Sequence, residues 1–98
     1  MGELRLGVAG LSGRGLHWIR LVQKLEGYRI TALCDLRQEA LDAGLEAVTD
    51  ADGVACFQDY TEFANYDGID AVALVVRSEH QGAMAAEALE AGKHVNAE

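Results

Sequence analysis

Three glycines, Gly10, Gly13 and Gly15, fall within six residues, between a short apolar run and a longer amphipathic stretch. The run Leu4 to Ala9 is too short for a helix, and Leu6, Val8 and Ala9 suit a strand covered on both faces. After the glycines, Trp18, Ile19, Leu21, Val22 and Leu25 recur at three- and four-residue intervals, with Arg20, Gln23, Lys24 and Glu26 between them. Gly27 stands where a helix C-cap belongs. The geometry this predicts is strand, tight turn, helix. Such a turn presents backbone N–H groups at a helix start, where anions bind.

The alternation continues. Tyr28 to Cys34 is rich in strand formers, and Arg37 to Val48 places Leu41, Leu45 and Val48 on one helical stripe. Val54 to Phe57 predicts a short third strand and Tyr60 to Ala64 one helical turn before the Asp67-Gly68 turn signal. Ile69 to Val76, interrupted only by Asp70, is the most apolar run and predicts a buried central strand. Gln81 to Ala91 is an alanine-rich helix with Met84, Ala88 and Leu89 on one stripe; Gly92 caps it, and His94-Val95 opens a last strand. Strands alternating with crossover-length helices call for an α/β fold: a doubly wound, open parallel sheet of about five strands, with helices on both faces.

Ninety-eight residues support one domain, 1–98. The net charge of -8, with no Lys/Arg cluster, argues against a nucleic-acid or anionic-membrane partner, so a bound anion must be held by local geometry. Cys34 and Cys56 lack metal-ligand or redox spacing and sit in apolar runs, which predicts buried thiols of a reducing compartment. There is no stretch of signal-peptide or membrane-spanning length, so the expected location is cytoplasmic.

In an open parallel sheet, ligands bind beyond the carboxyl ends of the strands where the strand order reverses. The loop after the first strand meets the dinucleotide fingerprint G-x-G-x-x-G at Gly10 and Gly15, while the middle position is Ser12, followed by Gly13 and Arg14. Serine is the mildest replacement there, being small and able to donate to phosphate. Asp35 closes the second strand twenty residues after Gly15, the separation at which a carboxylate reaches adenosine ribose hydroxyls. It favours NAD over NADP, because a carboxylate repels a 2'-phosphate. Arg37, two residues on, offsets part of that repulsion or is simply solvated in the first turn of the second helix.

The chain resembles the N-terminal domain of the glucose-fructose oxidoreductase and inositol dehydrogenase family, Gfo/Idh/MocA. The resemblance rests on Gly10-Leu-Ser-Gly-Arg-Gly15, Cys34-Asp35, Gln58-Asp59-Tyr60, Ile69-Asp70-Ala-Val, and above all Ala88-Leu-Glu-Ala-Gly-Lys-His-Val95 followed by Glu98. It implies a Rossmann-type NAD(P)-binding domain of an oxidoreductase that moves hydride between nicotinamide and a sugar- or cyclitol-like hydroxyl or carbonyl. Gly10, Ser12, Gly13, Arg14 and Gly15 would hold pyrophosphate, and Asp35 and Arg37 the ribose. Val76, Arg77 and His80 would border the nicotinamide half, with Glu98 beside it.

In the family a catalytic lysine follows the glutamate matching Glu98, and a C-terminal domain supplies most of the substrate site. The expectation is therefore a fragment that binds nucleotide without turnover and self-associates through surface its parent covers. Two departures stand out. The loop Val76-Arg-Ser-Glu-His-Gln-Gly82 has no proline, and the family's histidine aligns with Gln81 rather than His80, which leaves His80 either near the nicotinamide or solvated at a helix start. These departures and Ser12 also motivate the alternative of a non-catalytic nucleotide-binding or sensor module.

Overall fold

The computed structural model describes residues 4–97. The strands are β1 (Leu4–Ala9), β2 (Tyr28–Cys34), β3 (Ala55–Phe57), β4 (Ala71–Leu74) and β5 (His94–Ala97). Between them run α1 (Gly13–Val22), α2 (Gln38–Ala47), α3 (Tyr60–Ala64) and α4 (Ser78–Glu90). All strand pairs are parallel, in the order β3-β2-β1-β4-β5. The doubly wound Rossmann-type sheet is therefore present, and strand order reverses between β1 and β4. The middle of the sheet belongs to β1, with the more apolar β4 beside it.

Two cores form, one on each face. Leu6, Val8, Ile19, Val22, Leu33 and Leu41 pack on the side covered by α1 and α2, whereas Ala9, Ala32, Cys34, Phe63, Val72 and Ala88 pack on the side covered by α3 and α4. A bulge in β2 makes both faces fit. Leu6 pairs with Ile30 but Gly7 with Ala32, so Thr31 is the extra residue. The bulge switches parity, letting Ile30 and Leu33 serve one core while Ala32 and Cys34 serve the other. The Thr31 hydroxyl settles by donating to the Gly68 carbonyl at 2.7 Å.

Several boundaries differ from the sequence reading. α1 ends at Val22, not near Gly27, because the buried stripe ends there: Leu21 and Leu25 are about half exposed. The chain leaves through tight turns, with Lys24 N–H on the Leu21 carbonyl and Leu25 N–H on that of Val22. α4 begins at Ser78, earlier than its alanine-rich part, and Leu89 on its far end is exposed rather than on the packed stripe. Cys34 is buried as expected, but Cys56 is exposed, since three-residue β3 is an edge strand with one neighbour. Among the described residues no helix is long and apolar enough to cross a membrane.

The motif residues at the opposite end of the sheet are architectural. Lys93 Nζ donates to the carbonyls of Tyr66 (2.8 Å) and Ile69 (3.1 Å), pinning the approach to β4 against the start of β5. Asp70 clamps β4 to β1: Oδ2 accepts from Arg5 N–H and Nε at 2.9 and 3.1 Å, and Oδ1 from a terminal guanidinium nitrogen at 2.9 Å. The Arg5 hydrogen bonds hold the Asp70 carboxyl at about 2, below its ordinary 3.8. A carboxyl whose folded-state value is depressed contributes stability that is complete above its unfolded value and lost as the pH falls through the folded one. Unfolding measured from pH 4 down to pH 2 is therefore expected to show stability falling more steeply in the unsubstituted chain than in Asp70→Asn; equal slopes would remove the clamp from the acid response.

Candidate functional site

The loops after β1, β2 and β4 meet at the carboxyl edge of the sheet, and the first is shaped by glycine. Gly10 has φ +94°, a backbone conformation that side chains avoid, and its N–H donates to the Cys34 carbonyl at 3.0 Å. A Cβ there would lie 2.2 Å from the Val75 carbonyl oxygen, and one on Gly15 would lie 1.9 Å from that of Gly10. These two glycines let α1 start directly against the carboxyl ends of the neighbouring strands β1 and β4. Gly13 is different, because a Cβ on it would meet nothing within 4 Å.

Ser12 occupies the N-cap of α1 in extended conformation, yet its hydroxyl makes no capping hydrogen bond, and its carbonyl accepts from Leu16 N–H at 2.9 Å. The hydroxyl is thus on an exposed cap with no local task. The first turn of α1 contains no acidic residue and carries Arg14, so no acidic side chain of that turn competes where helix N–H groups lack intrahelical acceptors.

Asp35 joins the first two loops. Its Oδ2 accepts from Leu11 N–H at 2.9 Å and its Oδ1 from Arg37 N–H at 3.0 Å, with Arg37 Nε 3.5 Å from the same oxygen. The side chain keeps 12% exposure, and a carboxylate has about four acceptor positions, so capacity remains for a ligand hydroxyl. Arg37 is the N-cap of α2 rather than part of its first turn, and its side chain is more than half exposed. Beneath the carboxylate, burial first and then the charge of Asp35 push the Cys34 thiol up to about 12. At neutral pH the thiol is uncharged, so the loop carries no second anion there.

The loop after β4 is less enclosed. Val76 is half-buried and its carbonyl accepts from Gln81 Nε2 at 3.1 Å. Arg77, at the N-cap of α4, and Glu79 are exposed and 3.9 Å apart, and His80 Nε2 lies 4.0 Å from the same Glu79 oxygen. Exposed pairs of this kind contribute little to stability. The Leu11–Asp35 and Gly10–Cys34 hydrogen bonds thus join the loop that carries Gly10, Ser12, Gly13, Arg14 and Gly15 to the turn that carries Asp35 and Arg37, while Arg77 and His80 stand on an open helix start. Glu98 lies outside the described residues. Sequence reading missed the two glutamines that hold site-loop carbonyls, Gln81 on Val76 and Gln58 on Leu36 at 3.1 Å. Only the placement of Gln58 before the Asp59 cap, and of Gln81 at the family's histidine position, hinted at them.

The cradle fits a pyrophosphate on the glycine loop and a ribose at Asp35. The family model described as an oxidoreductase family with NAD-binding Rossmann fold matches residues 4–98. Among curated proteins, a glycosyl hydrolase family 109 protein 2 of Shewanella sp. (strain ANA-3) is 33% identical over 96% of the chain. An alpha-N-acetylgalactosaminidase of Shewanella oneidensis is 31% identical over 96% of it. In each case the chain spans 22% of the relative's length. Among solved structures, scyllo-inositol dehydrogenase from Lactobacillus casei, with bound NAD(H) and scyllo-inositol, superposes with a TM-score of 0.84 at 25% identity. That match covers 97% of this chain and 27% of that one.

Proposed function

Because the chain belongs to the Gfo/Idh/MocA oxidoreductase family through its NAD-binding Rossmann fold, we propose that it is the dinucleotide-binding part of an enzyme that oxidises or reduces a sugar- or cyclitol-like substrate. The observation that carries this reading is the Asp35 clasp on the glycine loop, which places a carboxylate and an acid-free helix start side by side. The dinucleotide would supply hydride acceptance or donation at its nicotinamide ring. The chain's own residues do the rest. The N–H groups at the start of α1 and the Ser12 hydroxyl receive the pyrophosphate, Arg14 adds positive charge, and Asp35 accepts the ribose hydroxyls.

Val76, Arg77 and His80 border the nicotinamide side in this reading, and Glu98 adjoins it. NAD is the preferred cofactor and NADP the weaker one, with Arg37 the residue able to turn towards a 2'-phosphate. On its own the 98-residue chain binds and does not turn over, because the substrate groups come from the remainder of a longer enzyme; its place is the cytoplasm, where its two free cysteines stay reduced. Calorimetric titration with NAD and NADP tests the reading: heat with NAD at lower concentration than with NADP is expected, and no heat with either would end it.

A second reading of the substrate is favoured by the names of the curated relatives, glycosyl hydrolases and an alpha-N-acetylgalactosaminidase. A dinucleotide held at the glycine loop and Asp35 would there supply removal and return of a hydride within one cycle, so that hydrolysis of a glycoside would leave the cofactor's redox state unchanged. In an enzyme containing this domain the two readings separate cleanly. A dehydrogenase accumulates reduced cofactor in step with product, and a hydrolase of this kind releases sugar with none.

We also propose that the chain self-associates. An apolar groove beside β5 is lined by Leu4, Leu6, Trp18, Leu21, Leu25 and Ala73, and β5 is an edge strand. Mass measured by sedimentation should rise with concentration, and a strictly monomeric value at high concentration would count against it.

A further inference from the structure

The string Gln58-Asp59-Tyr60 follows β3, and the structure separates its tasks. Asp59 caps α3, its Oδ1 accepting from Glu62 N–H at 3.1 Å. Tyr60 donates its hydroxyl to the Met84 carbonyl on α4 at 2.7 Å, and burial, aided by the charge of Glu87, pushes the phenol up to about 12, so it remains a donor at neutral pH. Both residues tie α3 into the core. Gln58 does neither.

Its Nε2 donates instead to the carbonyl of Leu36, in the loop that carries the Asp35 carboxylate. The Leu36 side chain is 83% exposed, so burial does not hold that residue in place. What holds the loop is polar: Asp35 N–H on the Phe57 carbonyl at 3.1 Å, Arg37 N–H on Asp35 Oδ1 at 3.0 Å, and the Gln58 amide between them at 3.1 Å. The first fixes the Cys34–Asp35 peptide, and the other two grip the Leu36–Arg37 peptide at its two ends, so the Gln58 bond on the carbonyl helps keep the Arg37 N–H turned to the Asp35 carboxylate. With that carbonyl turned towards β3, the leucine side chain is presented outward beside Asp35.

We propose that Gln58 is a positioning residue for the adenosine half of the dinucleotide. By holding the Leu36 carbonyl it keeps Asp35 aimed at the ribose and Leu36 available as an apolar wall for the base. The inference rests on the reading that this site takes a dinucleotide.

The test uses the 98-residue chain with ADP-ribose, NAD and nicotinamide mononucleotide as probes in calorimetric titrations. Gln58→Leu keeps the bulk and removes the donor, while Gln58→Lys restores a donor of similar reach. In Gln58→Leu the affinity for ADP-ribose and NAD should fall by about three- to tenfold, as expected for one hydrogen bond, with that for the mononucleotide unchanged. Gln58→Lys should recover most of the loss, and both variants should unfold at the temperature of the unsubstituted chain. Unchanged ADP-ribose affinity in Gln58→Leu would overturn the proposal, as would a loss shared by the mononucleotide or not recovered by lysine. Absence of ADP-ribose binding before any substitution would instead overturn the dinucleotide reading, and this inference with it.

Discussion

Gly10→Ala is expected to lower the unfolding temperature by roughly 12 to 24 °C and to abolish nucleotide binding. The argument starts from the backbone. At φ +94° an L side chain is strained by about 1 to 2 kcal/mol, and the added Cβ would sit 2.2 Å from the Val75 carbonyl oxygen and 2.8 Å from its carbon. No rotamer change relieves an overlap between Cβ and backbone. Either the loop or the end of β4 must move, which breaks the Gly10 N–H bond to Cys34 or the Val75 N–H bond to Ala9.

Strain and displaced packing together come to about 3 kcal/mol. A domain of this size is stable by only about 5 to 15 kcal/mol, and each kcal/mol lowers the midpoint by roughly 4 to 8 °C. Gly13→Ala is the control. Its Cβ would meet nothing within 4 Å, and alanine is the better helix former, so its midpoint should hold or rise slightly. Circular dichroism melts of the two variants check the contrast; equal midpoints would show that the Gly10 conformation is not what the fold depends on.

That contrast marks where sequence reading reaches its limit. Gly10, Gly13 and Gly15 look alike as letters, and only the close approach of the loop and α1 to the backbone at the ends of β1 and β4 tells which of them is obligatory. The order of elements was legible because hydrophobic periodicity changes from strand-like to helical at each glycine or acidic turn. Ends were less legible, since periodicity outlasts packing: Leu21 and Leu25 continue the α1 stripe without a buried surface to cover.

Cys56 shows the same limit from the other side, because an apolar neighbourhood in sequence does not reveal that β3 has one partner strand. The separation of Asp35 from Gly15 pointed to a ribose site. That its carboxylate also holds Leu11 depends on β1 and β2 being neighbours, which no local pattern states. The same holds for Gln58 on Leu36, a contact across 22 residues.

The double duty of Asp35 makes its removal informative in two separate measurements. Asp35→Ala withdraws the acceptor from two backbone N–H groups. Arg37 is exposed and water replaces the loss there, but Leu11 is buried, with 2% exposure, and its N–H faces the space the carboxylate leaves. The expected stability loss is about 1 to 3 kcal/mol, carried mainly by the Leu11 amide. Binding changes independently. On the proposed function, a charge-assisted bond from Asp35 to ribose would account for about 1.5 to 3 kcal/mol, so NAD affinity should fall by about ten- to a hundredfold. NADP affinity should fall less or rise, because the same substitution removes a repulsion of up to about 4 kcal/mol per unit charge.

The NAD-to-NADP preference therefore collapses while the fold survives, provided the melt is done alongside the titration. Arg37→Ala separates the remaining contribution. It leaves the Arg37 N–H bond to Oδ1 in place and removes only the guanidinium 3.5 Å from that oxygen, so stability should scarcely move while NADP binding weakens. An unchanged cofactor ratio in Asp35→Ala would take the ribose away from this residue and leave it a purely structural clasp. A changed ratio with an unchanged melt would do the reverse, showing that the glycine loop holds its shape without the carboxylate and that Asp35 is there for the ligand alone.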